Sequence, residues 1–333
     1  MLCSVVILNW NGEAMLRRYL PSVVAFTPTA EAEIVVADNG STDGSVALLR
    51  KEFPSVRVLP LDKNYGFAEG YNRALQQVES RYTVLLNSDV AVTEGWLTPL
   101  LTYMERHAEV AAVQPKILSD LQKDHFEHAG AAGGYLDMLG YPFCRGRLVG
   151  YAAKDEGQYD TEADVLWTSG ACMCVRTNLY KEVGGLDGDF FAHMEEIDLC
   201  WRLCCRGHRL VCLPQSHVYH LGGGALHYES PRKTYLNFRN NLLMLYKNLP
   251  ASHLRRVMAV RWVLDYVAAL QLLLTGKPKL AWAALQARRD YHRMKPRMRA
   301  KREENMCLAT VPYPATICRR SVIWDYYIRQ KRQ

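Results

Sequence analysis

The chain has 333 residues, of which 49% are hydrophobic, so it can bury one large core or two smaller ones and is not an intrinsically disordered protein. Its ten cysteines form no Cys-x-x-Cys pair and no regular spacing, and no signal-peptide pattern precedes the first apolar segment. We therefore expect reduced thiols in a cytoplasmic protein. The formal charge of +7 is uneven, because ten Lys and Arg stand against one acid, Asp290, between Lys277 and Arg302.

Short apolar segments alternate with helical ones along the first 120 residues. The pattern predicts strands at 4–9, 33–38, 56–60, 82–87 and 110–118, and helices at 13–26, 43–53, 67–78 and 94–107. Such alternation indicates an α/β fold, a mostly parallel sheet with helices on both faces. Ligands collect at the carboxyl ends of strands in these sheets, so the polar strand ends Asn9, Asp38 and Asp89 are predicted to meet in one crevice.

The common nucleotide-binding motifs are absent from the first strand and turn, since neither G-x-G-x-x-G nor G-x-x-x-x-G-K-[ST] occurs there. The second strand instead runs into ADNGSTDGS. In this segment Asp38 can accept a hydrogen bond from a base or a ribose, and Gly40 permits close approach of the backbone. The same segment also suits a turn that caps the next helix, with Thr42 or Asp43 as the cap.

Further acids occur at a strand end and at a helix start. Asp89 follows the apolar segment YTVLLN by two residues. It can be a helix-capping residue, or it can be one of the few protein ligands that Mg²⁺ or Mn²⁺ needs beside a nucleotide diphosphate. Glu195, Glu196 and Asp198 open a predicted helix, where one acid would complement the helix dipole but three exceed that need. A carboxylate there can act as a general base toward a hydroxyl group. His220 follows another strand and precedes three glycines, so it suits either a metal ligand or an ordinary loop residue.

Seven segments, in this order, resemble the family 2 glycosyltransferases of GT-A fold, particularly the bacterial rhamnosyltransferase-like branch: SVVILNWNG, IVVADNGSTDGS, NYGFAEGYNRAL, LLNSDV, TSGACMCVR, GGLDGDFFAHMEEIDLCWR and VYHLGGG. The resemblance covers residues 3–250. It implies inverting transfer of one sugar from a nucleotide-diphosphate sugar, dTDP-rhamnose or a UDP-sugar, to a glycan or lipid-linked glycan in cell-surface polysaccharide synthesis. We therefore expect a GT-A catalytic domain at 1–250 and a helical, basic extension at 251–333.

The resemblance also implies roles for individual residues. Asn87-Ser88-Asp89 stands at the family's D-x-D element, so Asp89, with help from His220, is expected to bind a divalent cation, Mg or Mn. Glu196 stands at the position of the catalytic base, where the family usually has Asp. The other expected site residues are Asn9, Asp38, Asn64 and Gly66 on the donor side, and Trp167, Gly170, Glu195 and Asp198 on the acceptor side. The last two acids would orient the acceptor or support the loop.

Two other classes of protein share part of this pattern. A metal-dependent nucleotidyltransferase also places acids at strand ends, but it needs a basic triphosphate loop that we do not find in the sequence. A catalytically silent membrane-surface binding module would result if Asn87 and Glu196, which depart from the family pattern, abolish activity. Slow release of nucleoside diphosphate from a nucleotide sugar, without acceptor, would identify the transferase.

The last third of the sequence is predicted to be helical. The segment 235–250 has apolar residues at helical spacing, which predicts a helix packed on the catalytic domain. Residues 254–275 are also apolar at helical spacing, but charges interrupt them, and the uncharged run Tyr266 to Gly276 is too short to span a bilayer. The basic stretch 288–302 follows. This tail suits either a helix packed on the catalytic domain or peripheral contact with anionic lipid on the inner face of the cell membrane. Nucleic acid is not an expected partner, because no fold for reading it appears.

Overall fold

A computed structural model describes residues 1–128, 130–148, 150–222 and 230–330. The strands and helices predicted in the first 120 residues are confirmed within a few residues at their ends, and one short strand, β5, is additional. The elements are β1 (Cys3–Asn9), α1 (Glu13–Phe26), β2 (Ala32–Asp38), α2 (Ser45–Glu52), β3 (Arg57–Pro60), α3 (Gly66–Gln76), β4 (Tyr82–Asn87), β5 (Val90–Val92), α4 (Thr98–Arg106) and β6 (Val110–Ser119).

The rest of the chain first forms short strands and then helices. The elements are β7 (Gly134–Asp137), β8 (Pro142–Cys144), β9 (Arg147–Leu148), β10 (Tyr151–Ala152), β11 (Ala163–Asp164), β12 (Cys172–Arg176), α5 (Thr177–Glu182), a 3₁₀ turn (Gly188–Phe190), α6 (Glu195–Cys205), β13 (Arg209–His220), α7 (Pro231–Asn248), α8 (Ala251–Leu274), α9 (Pro278–Leu308), β14 (Ile317–Cys318) and α10 (Val322–Tyr327).

The central sheet has the strand order β11-β13-β6-β12-β4-β1-β2-β3, with β5 paired to β13. The pairs β4–β1, β1–β2 and β2–β3 are parallel. Strand β12 lies between β4 and β6 and is antiparallel to both. The sheet is therefore mixed at this point. The chain reaches β12 from β6 through the short strands β7 to β11, and an antiparallel neighbour needs no helical crossover.

The core lies on both faces of the central sheet, as the apolar strands predict. In β1, Val5 and Ile7 are buried in the cluster that includes α1, α2 and α4, whereas Val6 is buried in the cluster with α3, α6 and α7. Leu85 of β4 also faces the second cluster, and its neighbour Leu86 faces the first. Because alternate side chains of a strand point to opposite faces, a strand covered on both sides is apolar throughout. The predicted α/β fold with helices on both faces is confirmed.

The helical extension is in contact with the rest of the chain. Helix α9 packs along α7, and β14 pairs with β7 in a second sheet of the order β10-β9-β8-β7-β14. Part of the basic stretch 288–302 contacts the protein itself: Arg288 pairs with Asp265 at 2.7 Å, and Lys301 pairs with Asp187 at 2.6 Å. The division into regions at residue 250 stays a prediction. Within the described residues, α8 is the one helix long and apolar enough to cross a membrane, judged by length and composition alone.

Candidate active site

The carboxyl ends of β1 and β2 are joined by side-chain hydrogen bonds. Asn9 and Asp38 are register partners, and the Asn9 amide donates to the Asp38 carboxylate over 3.0 Å. The other oxygen of Asp38 accepts from the backbone N–H of Ser41 at 3.1 Å. Asp38 is buried, yet each carboxylate oxygen has a second lone pair and can still accept from a base. The two strand ends lie together as expected, and base recognition by Asp38 stays a prediction.

The loop before α3 connects the end of β2 to the loop before α6. The Asn39 amide donates to the side-chain oxygen of Asn64 at 3.2 Å and to the carbonyl of Gly66 at 3.1 Å. Gly66 has a φ of +78°, and a Cβ there would lie 2.6 Å from the ring of Phe191. Both the backbone conformation and this close approach require glycine. Asn64 and Gly66, expected on the donor side, therefore lie next to Asn39, which follows the end of β2, and Gly66 also lies next to the loop before α6.

Asp89 and His220 lie together although 131 positions separate them. The end of β13 pairs antiparallel with β5, which places His220 opposite Val90 and beside Asp89. Asp89 Oδ1 is 3.1 Å from His220 Nε2. On the other side of the ring, His220 Nδ1 is 3.2 Å from Glu127 Oε2, which is an ion-pair distance. This contact does not meet the geometry of a hydrogen bond. Of the glycines that follow, Gly223 and Gly224 lie outside the described residues.

The buried imidazole and its two acids stabilise one another's charged forms. Burial lowers the pKa of His220, but contact with Asp89 and Glu127 outweighs burial and raises the pKa to about 10. Burial raises the pKa of Asp89, but the contact with His220 and its charge outweigh this effect, so the net pKa is below its usual value. A metal ion that binds at Nε2 would therefore have to displace a proton.

The donor set at this place fits a divalent cation that is shared with a ligand. Among the described residues, no group of three or more His, Cys, Asp or Glu could hold a metal by itself. Asp89 and His220 offer one oxygen and one nitrogen that are 3.1 Å apart and are both buried. An ion that serves a nucleotide diphosphate needs only one or two protein ligands, because phosphates and water complete its coordination.

The loop that leads into α6 has a strained backbone. Phe191, His193 and Met194 have φ values of 67°, 70° and 72°, a region that residues other than glycine rarely adopt. Each such residue costs about 1–3 kcal/mol, so other contacts must hold the loop. One holder is Asn240 on α7, whose side-chain amide lies 2.7–3.0 Å from the carbonyl oxygens of residues 190, 192 and 193. Strain of this kind is typical of functional sites.

Glu195 and Glu196 follow this loop in different environments. Glu195 is buried, whereas Glu196 is partly exposed. In both side chains Oε2 is buried and has no hydrogen-bond partner among the described residues. Burial raises the pKa of both carboxyl groups, and the charge of Glu196 raises that of Glu195 further. Glu196 is therefore the more exposed acid of the pair, and a raised pKa suits a general base near neutral pH.

Residues 170 and 171 lie between Glu196 and the strand end of β4. A Cβ on Gly170 would lie 3.7 Å from the Cβ of Glu196, an ordinary contact distance, so residue 170 is a direct neighbour of this acid. The next residue, Ala171, accepts a hydrogen bond of 3.0 Å from the backbone N–H of Asn87. The side chain of Asn87 is in turn 3.4 Å from His220 Nε2. This chain of contacts brings the candidate base and the candidate metal ligands to the same side of the sheet.

Two residues expected on the acceptor side are engaged within the protein. The Asp198 carboxylate is buried and pairs with Arg202 at 3.0 Å and Lys247 at 2.9 Å. Of the two roles left open for Asp198, these contacts favour support of the loop. The Trp167 indole N–H donates to the carbonyl of Tyr135 at 2.9 Å, and the ring fills the space where Gly134 would carry a Cβ. Acceptor contact by Trp167 stays a prediction that no observed contact supports.

Sequence reasoning missed Glu127, Arg239 and Asn240. Glu127 lies in a connection after β6 with no motif around it, and its importance depends on its distance from His220. Asn240 and Arg239 hold the loop before α6 from α7, since the side chain of each donates to the carbonyl of Phe190 at 3.0 Å. The segment 235–250 was expected only to pack on the catalytic domain, which is confirmed; no sequence signal distinguished these two polar residues from ordinary surface positions.

Comparison with known proteins adds independent observations. Residues 4–150 match the family model described as Glycosyl transferase family 2. The chain is 29% identical over 232 residues to the N-acetylglucosaminyl-diphospho-decaprenol L-rhamnosyltransferase of Mycobacterium tuberculosis. The aligned segment covers 65% of this chain and 75% of that protein. It is 27% identical over 220 residues to the O-antigen biosynthesis protein RfbC of Myxococcus xanthus, 65% of this chain and 17% of that protein. The crystal structure of GalNAc-T7 with UDP, GalNAc and Mn²⁺ superposes with a TM-score of 0.61 at 16% identity, over 99% of this chain and 57% of that one.

The fold is similar to that of GT-A glycosyltransferases. The chain carries a glycosyltransferase family 2 domain, and its relatives include rhamnosyltransferases and proteins of polysaccharide biosynthesis.

Proposed function

We propose that the protein transfers one sugar from a nucleotide-diphosphate sugar to a hydroxyl group of a lipid-linked glycan, with inversion and with the help of a divalent cation. The observation that carries this proposal is the placement of Glu196 near Gly170, on the side of the sheet where Asp89 and His220 meet. A base and a diphosphate-binding pair on one side of a sheet are the two groups that such a transfer requires.

In the proposed reaction, Glu196 takes the proton of the acceptor hydroxyl while the oxygen forms a bond to the anomeric carbon. The bond from that carbon to the diphosphate oxygen breaks, and the nucleoside diphosphate leaves with the electron pair. One base and no protein nucleophile mean a single displacement and hence inversion. Glu196 has no hydrogen-bond partner at Oε2 among the described residues, so this oxygen is free of competing donors from them.

Asp89 and His220 would hold the cation, and the cation would neutralise the leaving diphosphate. Asn9 and Asp38 would contact the nucleoside, with Asn64 and Gly66 beside them. The donor proposed is dTDP-rhamnose or a UDP-sugar, since Asp38 would meet the same N–H in thymine and uracil. The likeness to a relative named for L-rhamnose transfer supports the first choice.

Helix α8 supports an acceptor that lies in a membrane, because its polarity is inverted from Arg261 onward. Arg261 and Asp265 are each 2% exposed and pair with each other, while Trp262, Val263 and Leu270 are 52–55% exposed. A soluble helix shows water its charged face and buries its apolar one. An apolar face that is turned outward is expected where lipid is the surroundings, so we place the protein peripherally on the inner leaflet. A relative is named for a diphospho-decaprenol substrate, which supports the same acceptor class.

The test is a panel of nucleotide sugars, dTDP-rhamnose and UDP-sugars, incubated with the protein and Mn²⁺ or Mg²⁺. We expect slow release of nucleoside diphosphate from one of them without acceptor, and inverted anomeric configuration by NMR in the product with a lipid-linked acceptor. Equal release in excess EDTA would contradict the role of the cation. Absence of release from every donor, with the folded protein in hand, would contradict the proposed transfer itself.

A further inference from the structure

A cleft of about 520 Å³ lies between the catalytic loop and the helical extension. The residues that the argument uses are Arg232, Tyr235 and Arg239 on α7, Lys279 and Trp282 on α9, and Phe191 in the loop before α6. A volume of this size is in the range of small-ligand sites. The cleft is distinct from the strand-end crevice, but the two share Phe191, whose ring occupies the space beside Gly66.

Of the residues that the structure describes, every charged one that lines the cleft is a cation. Arg232, Arg239 and Lys279 line it, and its lining within the described part of the chain contains no acid. The nearby acids are occupied elsewhere: Asp189 pairs with Lys301 at 2.7 Å, and Asp290 accepts from the Tyr235 hydroxyl at 3.0 Å.

The arginines are also held in place. Arg239 donates to the carbonyl of Phe190 at 3.0 Å, and the guanidinium of Arg232 lies 5.0 Å from the centre of the Phe191 ring. Ordered cations without a carboxylate among them favour a ligand with several negative charges, and Arg and Lys are the usual partners of phosphate groups.

The cleft is continuous with the apolar surface of the extension. Trp282 lines the cleft and is 65% exposed, and Leu285 on the next turn of α9 is also exposed. The apolar face of α8 lies on the helix that packs against α9. A ligand in the cleft therefore has its cationic partners at one end and an apolar surface, with an interfacial tryptophan, at the other.

We propose that this cleft binds the diphosphate and the first isoprene units of a prenyl-diphosphate acceptor. The diphosphate would lie among Arg232, Arg239 and Lys279, and the prenyl chain would follow Trp282 toward the membrane. The sugar at the other side of the diphosphate would then face the start of α6, where Glu196 lies. This inference rests on the proposed function, since it names the binding site of its acceptor.

The experiment measures binding of farnesyl diphosphate to the full-length protein by calorimetry. Farnesol, inorganic diphosphate and vesicles with phosphatidylglycerol are tested as well, because lipid head groups and free diphosphate carry the same phosphate chemistry. We expect Arg232→Gln and Lys279→Gln each to weaken farnesyl diphosphate binding by about tenfold or more, the scale of one charge-assisted hydrogen bond. The matched control is Lys277→Gln, which removes one charge from the start of the same helix outside the cleft and should leave the affinity unchanged.

Three results would overturn the inference: no binding of farnesyl diphosphate, equal binding of farnesol, or equal loss in Lys277→Gln. Tighter binding of inorganic diphosphate than of farnesyl diphosphate would also overturn it, since the prenyl chain would then contribute nothing. If Arg232→Gln and Lys279→Gln lose vesicle binding to the same extent as farnesyl diphosphate binding, the cations bind lipid head groups and the inference is overturned.

The outcome is separable from that of the proposed function. Binding of UDP or dTDP with Mn²⁺ and donor hydrolysis without acceptor use the strand-end crevice, and they are measured on the same variants. If they persist while farnesyl diphosphate does not bind, the cleft assignment is wrong and sugar transfer stands. If farnesyl diphosphate binds but no nucleotide donor does, the cleft assignment stands and the proposed sugar transfer is wrong.

Discussion

Replacement of Glu196 by glutamine removes the proposed base with almost no change in shape. We expect transfer to fall by a factor of about 100 to 10,000, the usual contribution of general base catalysis. That loss corresponds to about 3–5 kcal/mol of activation free energy. Burial raises the pKa of Glu196, so ionising it costs free energy in the folded state. The neutral amide avoids this cost, and Glu196→Gln should therefore unfold at a higher temperature than the wild-type protein at neutral pH.

The pH dependence follows from the same shift. A base must be ionised, so activity rises as Glu196 loses its proton, and the raised pKa moves this rise above the range of an ordinary glutamate. Stability runs the opposite way: the contribution of Glu196 is complete below the pKa of the unfolded chain and is lost as the pH rises through the folded pKa. The measurements are kcat against pH and thermal unfolding of wild type and Glu196→Gln.

Glu195→Gln is the matched control, because Glu195 is adjacent and equally lacks a partner at Oε2 but is buried. Donor binding, measured with UDP or dTDP and Mn²⁺, should survive in both variants. Near-normal turnover in Glu196→Gln together with loss in Glu195→Gln would refute the assignment of the base. Loss of donor binding in Glu196→Gln would mean that the residue acts through the structure of the loop.

Four further predictions concern the metal pair, the neighbouring Glu127, a buried lysine and α8. Asp89→Ala should abolish Mn²⁺-dependent binding of UDP or dTDP, and His220→Ala should weaken it less, because phosphates and water can replace one ligand. Glu127→Gln should lower Mn²⁺ affinity about tenfold or more, as loss of an outer-shell partner of a metal-binding histidine does, with the measurement by calorimetry or Mn²⁺ EPR; unchanged affinity would make the contact structural. Lys247→Met should lower the free energy of unfolding by about 1.5–3 kcal/mol, the scale of a hydrogen bond to a charged group, because Asp187 and Asp198 lose one buried cation while Lys301 and Arg202 still pair with them. A loss under about 1 kcal/mol in urea unfolding would contradict this. Leu270→Glu should reduce flotation with anionic vesicles at low and high salt while leaving thermal unfolding unchanged, and equal flotation would remove α8 from the membrane contact.

The first half of the fold could be predicted because its signals are local. Strands β1, β2 and β4 are apolar runs ended by polar residues, and the helices between them have apolar residues at helical spacing. The direction of β12 could not be predicted, since it depends on which strands it meets. The small sheet also escaped prediction, because β9, β10 and β14 have two residues each and show no alternation. The pairing of β14 with β7 joins residues that are about 180 positions apart, for which the sequence contains no local signal.

The candidate site divides in the same way. Asp89 and Glu196 could be named from the sequence because each stands in a segment with a recognisable order of residues. Glu127 could not, because its relation to His220 arises from the fold alone. Asp198 shows the opposite case: the resemblance implied that it orients the acceptor or supports the loop. Its position two residues after Glu196 turns it about half a revolution around the helix, and its carboxylate lies in the buried pairs with Arg202 and Lys247.

Helix α7 connects the proposed chemistry to the proposed membrane contact. Near its middle, Asn240 holds the strained loop before Glu196, and toward its end Lys247 pairs with Asp198 in the helix that carries Glu196. Along its length it packs against α9, which pairs through Arg288 with the inverted helix α8. The proposed bilayer contact of the extension is therefore linked to the loop before α6 through α7. Because α9 covers α7, removal of residues 251–333 would expose the helix that supports this loop, so single substitutions on the exposed face of α8 are the change that separates the proposed membrane contact from catalysis.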